Sequence, residues 1–345
     1  MKLLKVLQTR SQSNSRFVRK RREYILEGDM GTYLRIYLIW CVIGAVFGAV
    51  FGYRLPNTVI PEHYRLEIVT DLDEDHFDFS GTVWIDVTCT SPTNNITLHS
   101  KMLDIDQNKV SVSAVNTPDH NLNITGVDFD EDNDFLIINL SEALKADEKY
   151  RVQIPFDGKL ANILAGYYRS SYQDADGKKV WLATTQFEPS DARRAFPCFD
   201  EPAMKAKFTI SIGRKEGYTA ISNMPLEKTE NIIGKPGWEW DRFQTTDMVQ
   251  KGRHRPNRFR QRRRSEDPQL LREMKGAIDQ IAFAKDVGPK ILSFYEKYFD
   301  IDYPLPKQDM IAIPDFAAGA MENWGLITFR EIYLLLDPKL SSLKS

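Results

Sequence analysis

The chain has 345 residues, of which 42% are hydrophobic and 11% aromatic. That content allows a packed core and about two domains, and it excludes a disordered chain. The 46 basic and 48 acidic residues nearly cancel, so the overall charge points to no polyanionic partner. The three cysteines, Cys41, Cys89 and Cys198, are far apart and have no C-x-x-C spacing, so they indicate neither a disulfide framework nor a cysteine zinc site.

The first predicted element is a membrane anchor at 36–53, an uncharged apolar run of 18 residues that is close to the roughly 20 needed to cross a bilayer. Basic residues cluster at 16–22 before the run, and few charges follow it. The positive-inside rule therefore predicts a basic cytoplasmic tail at 1–35, with the rest of the chain outside the cell. A cleaved signal peptide usually has a shorter apolar core, and a buried soluble helix is not usually apolar on every face. We expect a single-pass type II protein of the plasma membrane.

Two smaller features agree with an anchor. Gly44, Gly48 and Gly52 recur at every fourth position, and they form a stripe on which two helices can approach closely. Homodimerisation and the ordinary frequency of small residues in spanning helices explain this stripe equally well. Three N-x-S/T sequons follow the run on its predicted outer side, which makes them expected sites of N-glycosylation. Their asparagines are Asn95, Asn123 and Asn139.

A β-rich domain is predicted for 54–246. From Pro61 to about Ile212, apolar residues alternate with polar ones at period two, as in half-buried strands. The clearest alternations are at 64–68, 83–89 and 205–212, and polar turn clusters occur at 91–94 and 174–177. This pattern is typical of an antiparallel domain that resembles a sandwich or a saddle.

An atypical arginine-rich segment follows at 247–277. It contains Lys251 and seven arginines between 253 and 264, with neither strand nor helix periodicity. We expect a disordered, solvated loop, although clustered arginines also bind phosphate or lipid headgroups. Nucleic-acid binding through this segment conflicts with its predicted location outside the cell, so we expect no nucleic-acid partner.

The remaining residues, 278–345, combine helix and strand patterns. Apolar residues step by three or four positions from Ile278 to Phe299 and predict a helix, kinked or restarted at Gly288 and Pro289. Residues 309–313 and 326–336 are predicted strands. The loop and strand edge between them contain the candidate functional residues.

That loop contains the sequence Gly-Ala-Met-Glu-Asn at 319–323, within PDFAAGAMENWGLITFRE at 314–331. The segment resembles the exopeptidase signature of the aminopeptidase N family of zinc metallopeptidases. The resemblance continues through RLPNTVIPEHYRL at 54–66, TTQFEPSDARRAFPCFDEPAMKAKF at 184–208 and KILSFYEKYFDIDYPLPKQDMIAIPDF at 290–316. It implies a mainly β chain, in which an antiparallel N-terminal domain precedes the start of an α+β, thermolysin-like catalytic domain at 278–345.

The resemblance also implies a substrate site for peptides with a free N-terminus. Glu322 matches the motif's glutamate, which binds the α-ammonium group by a charge-assisted hydrogen bond. Gly319 and Ala320 have little side chain, so with Met321 they leave the backbone free to pair with an extended substrate. Asn323 completes the motif.

Two further residues are implied to line the pocket for the substrate's N-terminus. Gln186 and Glu188 are two positions apart and are predicted to share one face of a strand. A second carboxylate from Glu188 strengthens the negative field around the ammonium group. The segments 191–194 and 197–202 match the family equally well, but their charges are expected to order a turn. Cys198 is expected to be a buried small apolar residue and not a nucleophile.

The family binds zinc through two histidines of H-E-x-x-H and a later glutamate, and the glutamate of that motif is the general base. None of the five histidines here belongs to such a motif. We expect the zinc ligands and catalytic base of the complete enzyme beyond Ser345, so these 345 residues alone are expected to bind no zinc and to hydrolyse no aminoacyl substrate. The favoured hypothesis is an incomplete chain of a membrane-bound zinc aminopeptidase. The alternative is a truncated, inactive isoform that acts as a binding or dimerising partner.

Overall fold

The computed structural model describes residues 54–73, 76–174, 176–246 and 280–336. The predicted tail and anchor lie outside these ranges, as does the whole arginine-rich segment 247–277. The described residues from Leu55 onward belong to one compact unit, which is mainly β with few helices. No helix in the described ranges is long and apolar enough to cross a membrane.

The elements are labelled in chain order. The described strands are β1 (Val59–Thr70), β2 (Asp78–Cys89), β3 (Thr93–His99), β4 (Leu103–Asp104), β5 (Ser111–Ala114), β6 (Thr117–Asn121), β7 (Ile124–Asp130), β8 (Phe135–Leu144), β9 (Lys149–Lys159), β10 (Gly166–Gln173), β11 (Lys179–Gln186), β12 (Lys207–Lys215), β13 (Leu226–Asn231), β14 (Trp238–Phe243), β15 (Asp309–Ile313), β16 (Ala320–Met321) and β17 (Leu326–Arg330). The described helices are α1 (Ala282–Phe299) and α2 (Glu331–Leu334), and 3-10 turns occur at Gln107–Lys109 and Ala192–Arg194.

The largest sheet has the strand order β13-β14-β12-β1-β2-β9-β5-β6, with β4 paired to β9. Near its centre, β2 is antiparallel to both β1 and β9. Four alternate side chains of β2 are fully buried, namely Val83, Ile85, Val87 and Cys89. Each buried aliphatic side chain contributes about 1.5–3 kcal/mol by leaving water. The period-two prediction for 83–89 is therefore confirmed.

One pairing in this sheet differs from the expected antiparallel arrangement. Strands β1 and β12 are parallel, with Tyr64 opposite Phe208, and the two rings stack with centroids 4.6 Å apart. Most of the β domain lies between these strands in sequence, which supplies the long crossover that parallel pairing needs. Because alternation has period two in both arrangements, the sequence pattern does not distinguish them.

A second, three-stranded antiparallel sheet has the order β3-β8-β7. Its buried side chains belong to the same hydrophobic cluster as those of the large sheet, as in a sandwich. They include Ile96, Leu98, Leu136, Ile138 and Leu140. One core therefore supports both sheets.

Strands β10 and β11 form a separate hairpin, joined at the predicted turn 174–177. There Asp174 Oδ1 accepts from Lys178 N–H at 2.8 Å, and Gly177 adopts a φ of 79° that favours glycine. This turn prediction is confirmed. The cluster at 91–94 is only partly a turn, because β3 begins at Thr93.

The predicted helix at 278–299 is present as α1, which begins at Ala282 and continues through Gly288 and Pro289 without a restart. Pro289 costs one backbone hydrogen bond. Gly288 lets the Met310 side chain approach, because a Cβ at Gly288 would lie 2.8 Å from Met310 Cε. Among the described residues no α1 side chain is fully buried. Much of the predicted apolar face is exposed, at Ile291, Phe294, Tyr295 and Tyr298.

The parallel pair β15 and β17 forms the last sheet, and β16 adds an antiparallel edge to β17. The prediction for 309–313 is confirmed as β15. The predicted strand at 326–336 is wrong in its second half, because β17 ends at Arg330 and α2 follows. Leu335 N–H donates to Glu331 O at 2.8 Å, and Leu334 is buried, which stabilises a helical turn there.

A buried histidine joins the second sheet to the segment after the 3-10 turn. His99 is 2% exposed, its backbone exchanges two hydrogen bonds with Cys198, and its Nδ1 accepts from Asp200 N–H at 3.2 Å. Burial lowers the pKa of His99 to about 4, assisted by Arg193 and opposed by Asp134. The imidazole is therefore neutral in the folded protein at neutral pH.

We expect His99 to make the fold acid-sensitive. The unfolded chain binds its proton near pH 6.5 and the folded chain only near pH 4, so stability is lost as the pH falls from 6.5 to 4. At about 1.4 kcal/mol per pKa unit, the loss is on the order of 3 kcal/mol. Denaturant unfolding at pH 7 and pH 4.5 should show a smaller loss for His99→Gln, which keeps an acceptor without the proton site. Equal losses in both proteins would contradict this.

Candidate functional site

The loop 314–325 lies between β15 and β17, and its middle forms β16. Arg330, at the end of β17, holds the first half of the loop. Its Nε donates to Phe316 O at 2.9 Å and its Nη2 donates to Ala317 O at 2.6 Å. Its backbone N–H donates to Gly319 O at 3.0 Å. One residue therefore fixes the backbone that leads into the Gly-Ala-Met-Glu-Asn sequence.

The predicted substrate-binding motif lies at the surface. Ala320 and Met321 pair with β17, and in the described part of the chain β16 is the outer strand of its sheet. Glu322 follows directly and is exposed. Asn323 Nδ2 donates to Met321 O and Thr328 Oγ1, both at 3.4 Å. The motif thus presents a carboxylate beside a strand edge that no described strand covers.

Two hydroxyl groups of β10 hold the start of the loop. Tyr168 OH donates to Asp315 O at 2.8 Å. Ser170 Oγ donates to Asp315 Oδ2 at 2.8 Å and accepts from Asp315 N–H at 3.2 Å. Burial raises the pKa of Tyr168 far above its usual range, and the charge of Asp315 adds to this, so the phenol stays protonated. These contacts attach the loop to the β10–β11 hairpin.

Gln186 ends β11 on the hairpin face that contacts the loop. It is opposite Gly166, while Tyr168 is opposite Thr184, and opposed or alternate residues share one face. Gln186 is 9% exposed, and its Nε2 donates to Glu188 O at 3.4 Å. Its Oε1 is buried with no hydrogen-bond partner among the described residues. Because a buried acceptor without a partner is costly, Gln186 is a candidate ligand-binding group.

The expectation that Gln186 and Glu188 share a strand face is wrong. Strand β11 ends at Gln186, and Asp191 N–H donates to Phe187 O at 2.7 Å, so the chain turns beyond the strand. Glu188 is exposed whereas Gln186 is buried. Period-two alternation predicts a common face only while the strand continues.

Sequence reasoning gave no role to Glu331, a half-buried carboxyl group directly after β17. Burial raises its pKa and the nearby charge of Asp315 adds to this, and Glu331 Oε1 has no partner among the described residues. Strands β15 and β17 are parallel, with Ile313 opposite Arg330, so the residues that follow them meet at one edge. The parallel pairing brings Glu331 and Asp315 together, and the sequence pattern does not reveal that pairing.

The segments 191–194 and 197–202 form a turn and ion pairs, as expected. Arg193 pairs with Asp134 at 3.3 Å and with Asp200 at 3.0 Å, and Arg194 pairs with Asp191 at 2.7 Å. Cys198 is a buried free cysteine, and burial raises the pKa of its thiol well above the usual value. Its thiol is therefore protonated and not nucleophilic.

Comparison with known proteins agrees with this architecture. Residues 60–249 match the Peptidase M1 N-terminal domain and residues 283–345 match the Peptidase family M1 domain. Aminopeptidase N of Bos taurus is 38% identical over 307 residues, which cover 84% of this chain and 31% of that protein. Endoplasmic reticulum aminopeptidase 2 of Bos taurus is 41% identical over 297 residues, covering 84% and 30%. Endoplasmic reticulum aminopeptidase 1 of Homo sapiens is 39% identical over 298 residues, covering 85% and 31%.

The match extends over most of the chain, whereas the chain spans about a third of the length of the curated relatives it matches. The M1 N-terminal domain alone accounts for more than half of the chain, and its range contains Gln186 and most of the two-sheet β core. The chain therefore belongs to the peptidase M1 family, together with aminopeptidase N and the endoplasmic reticulum aminopeptidases.

Proposed function

We propose that this chain supplies the part of a membrane-bound zinc aminopeptidase that binds the free N-terminus of a peptide substrate. One observation carries the proposal. The exposed Glu322 follows an uncovered strand edge, on a loop attached to the hairpin in which Gln186 Oε1 lacks a partner. The relatives' names support the same class of reaction, the release of N-terminal amino acids from peptides.

The chemistry of the loop suits an extended peptide with a charged end. A substrate strand can pair with the open edge at Ala320 and Met321. Its ammonium group then meets the Glu322 carboxylate, and a charge-assisted bond of this kind is not available to an internal amide. Gln186 Oε1 accepts a hydrogen bond from the same ammonium group and so gains the partner it lacks. Glu188 is exposed beyond the end of β11, and its carboxylate contributes a second negative charge.

The family resemblance implies a zinc ion in the complete enzyme. Within the described ranges, however, no cluster of three or more His, Cys, Asp or Glu side chains is arranged to hold a metal ion. The described residues therefore do not fit a zinc site. The residues of the loop and hairpin bind and orient the substrate.

The membrane attachment proposed here rests on residues 36–53, which lie outside the described ranges. The uncharged run and the basic residues before it support a type II anchor. Gly44, Gly48 and Gly52 support a homodimer through the same helix. The domain division at 246 and 278 is likewise part of the proposal, and the separate family matches at 60–249 and 283–345 support two domains.

We expect Glu322→Gln to weaken binding of a free N-terminus. The variant loses one charge-assisted hydrogen bond, worth about 1.5–3 kcal/mol, so the Kd should rise about tenfold or more. The measurement is fluorescence anisotropy of a short dye-labelled peptide with the 345-residue chain in detergent micelles, alongside the same peptide N-acetylated.

The exposed residue Glu142 provides the matched control, since Glu142→Gln removes the same charge from β8. It should bind the free peptide as the unmodified chain does. If the unmodified chain binds the free and acetylated peptides equally well, recognition of the N-terminus is absent and the proposal fails.

We expect Gln186→Leu to separate stability from binding. Leucine has a similar size and removes the unpartnered Oε1, so the free energy of unfolding should stay the same or rise by up to about 1 kcal/mol. Affinity for the free-amine peptide should fall. Gln173→Leu, at the exposed end of the same hairpin, should change neither. Destabilisation by Gln186→Leu would indicate that Oε1 is satisfied in the protein.

We expect Asn123 to carry an N-glycan when the chain is made in a glycosylating cell. Asn123 is exposed and lies between strands, whereas Asn139 Nδ2 donates to Asp128 at 2.7 Å and lies opposite Asn95. Glycosidase treatment should increase the gel mobility, and Asn123→Gln should remove one step of that shift, while Asn108→Gln, outside any sequon, should not. A chain insensitive to glycosidase would count against the outside location.

A further inference from the structure

Lys307 is a largely buried lysine whose three donors all have partners in different parts of the chain. Its Nζ donates to Ser222 O at 2.7 Å, to Gly325 O at 2.7 Å and to Asp309 Oδ2 at 2.5 Å. Its side chain is 20% exposed. A lysine ammonium has three donors and no acceptor, so this arrangement uses its complete capacity. The side chain connects the segment before β13, the start of β15 and the end of the loop 314–325.

The backbone at Gly325 is held closely against the same segment. Gly325 has a φ of 78°, and a Cβ there would lie 2.0 Å from Asn223 O, so only glycine fits. Its N–H donates to Tyr303 OH at 2.9 Å. The neighbouring Trp324 O accepts from Asn223 Nδ2 at 2.7 Å.

We propose that Lys307 is a positioning residue that, together with Asn223, fixes the end of the loop 314–325 to the β domain and thereby sets the place of Glu322. Glu322 is three residues from Gly325, and the start of the loop is attached to the same domain through Ser170 and Asp315. With both ends held, the exposed carboxylate between them has a restricted range. The role in ligand binding rests on the proposed function, whereas the attachment itself does not.

If Lys307 formed only a structural ion pair with Asp309, the local opening of the loop would not depend on Asn223. The two possibilities differ in the hydrogen exchange of the loop, because exchange reports local opening. Lys307→Met and Asn223→Ala are the test variants. Lys290→Met is the matched control, because Lys290 is exposed on α1 and pairs only with Asp286 among the described residues.

Hydrogen exchange measured by mass spectrometry on the 345-residue chain should accelerate about tenfold across 317–326 in both test variants. Exchange in β1, β2 and β9 should not change, and Lys290→Met should match the unmodified chain. Asn223 is only partly buried, so Asn223→Ala tests the attachment even if Lys307→Met does not fold. Unchanged exchange at 317–326 in Asn223→Ala and in a folded Lys307→Met would overturn the proposal.

Peptide binding then tests positioning. Both variants should raise the Kd of the free-amine peptide about tenfold and leave the Kd of the N-acetylated peptide unchanged. Lys307→Arg, which keeps the charge, should recover part of the lost affinity. Accelerated exchange with full discrimination between the peptides would overturn the positioning role. An unmodified chain that does not discriminate would refute the proposed function instead, and the exchange result would still decide whether Lys307 and Asn223 hold the loop.

Discussion

The loop 314–325 depends on hydrogen-bond donors that lie outside it. Only its two residues in β16 pair with a strand, and backbone carbonyls away from water need partners. Side chains from β10, β17, the segment before β13 and the segment before β15 supply them. The bonds run from Tyr168 to Asp315 O, from Arg330 to Phe316 O and Ala317 O, from Asn223 to Trp324 O and from Lys307 to Gly325 O. The exposed motif is therefore the uncovered middle of an otherwise anchored segment.

These contacts join the β domain to the residues that follow it, and both belong to one compact unit. The loop is distant in sequence from β10 and from Asn223, yet each provides a contact that the loop does not form by itself. The shared core of the two β sheets holds those contacts in place. Charge pairs also hold β12 to β14. One of them joins Arg214 to Asp241, which is only 2% exposed. The hairpin and Asn223 therefore connect the loop to the β domain.

The sequence predicted the parts of this structure that depend on local pattern. The alternation at 83–89, the strand at 309–313 and most of the helix predicted at 278–299 were recoverable, because burial on one face imposes a period. The sequence did not predict features that depend on distant partners. The parallel pairing of β1 with β12 and of β15 with β17 leaves alternation unchanged. For the same reason the proximity of Glu331 to Asp315 could not be foreseen.

The residues of the candidate site also differ in whether a local sequence pattern identifies them. Glu322 and its neighbours were found from a short motif, and the exposed position of that motif agrees with a binding role. Glu188 was misplaced because alternation was extended past the end of β11 at Gln186. Lys307 and Asn223 were missed because no local pattern indicates contacts with Gly325 and Trp324. Lysines are usually exposed, and only the fold identifies Lys307 as largely buried.

The choice of lysine at 307 follows from geometry. Its three acceptors come from three segments, Ser222, Asp309 and Gly325, and they surround a single nitrogen. A compact ammonium donates in three divergent directions, whereas a planar guanidinium suits two parallel acceptors. Recognition of a terminal ammonium also depends on placement, because an error of about 1 Å in a reacting group can cost about a hundredfold in rate. A carboxylate on an anchored loop meets that requirement better than one on a free loop, since little conformational entropy is left to lose on binding.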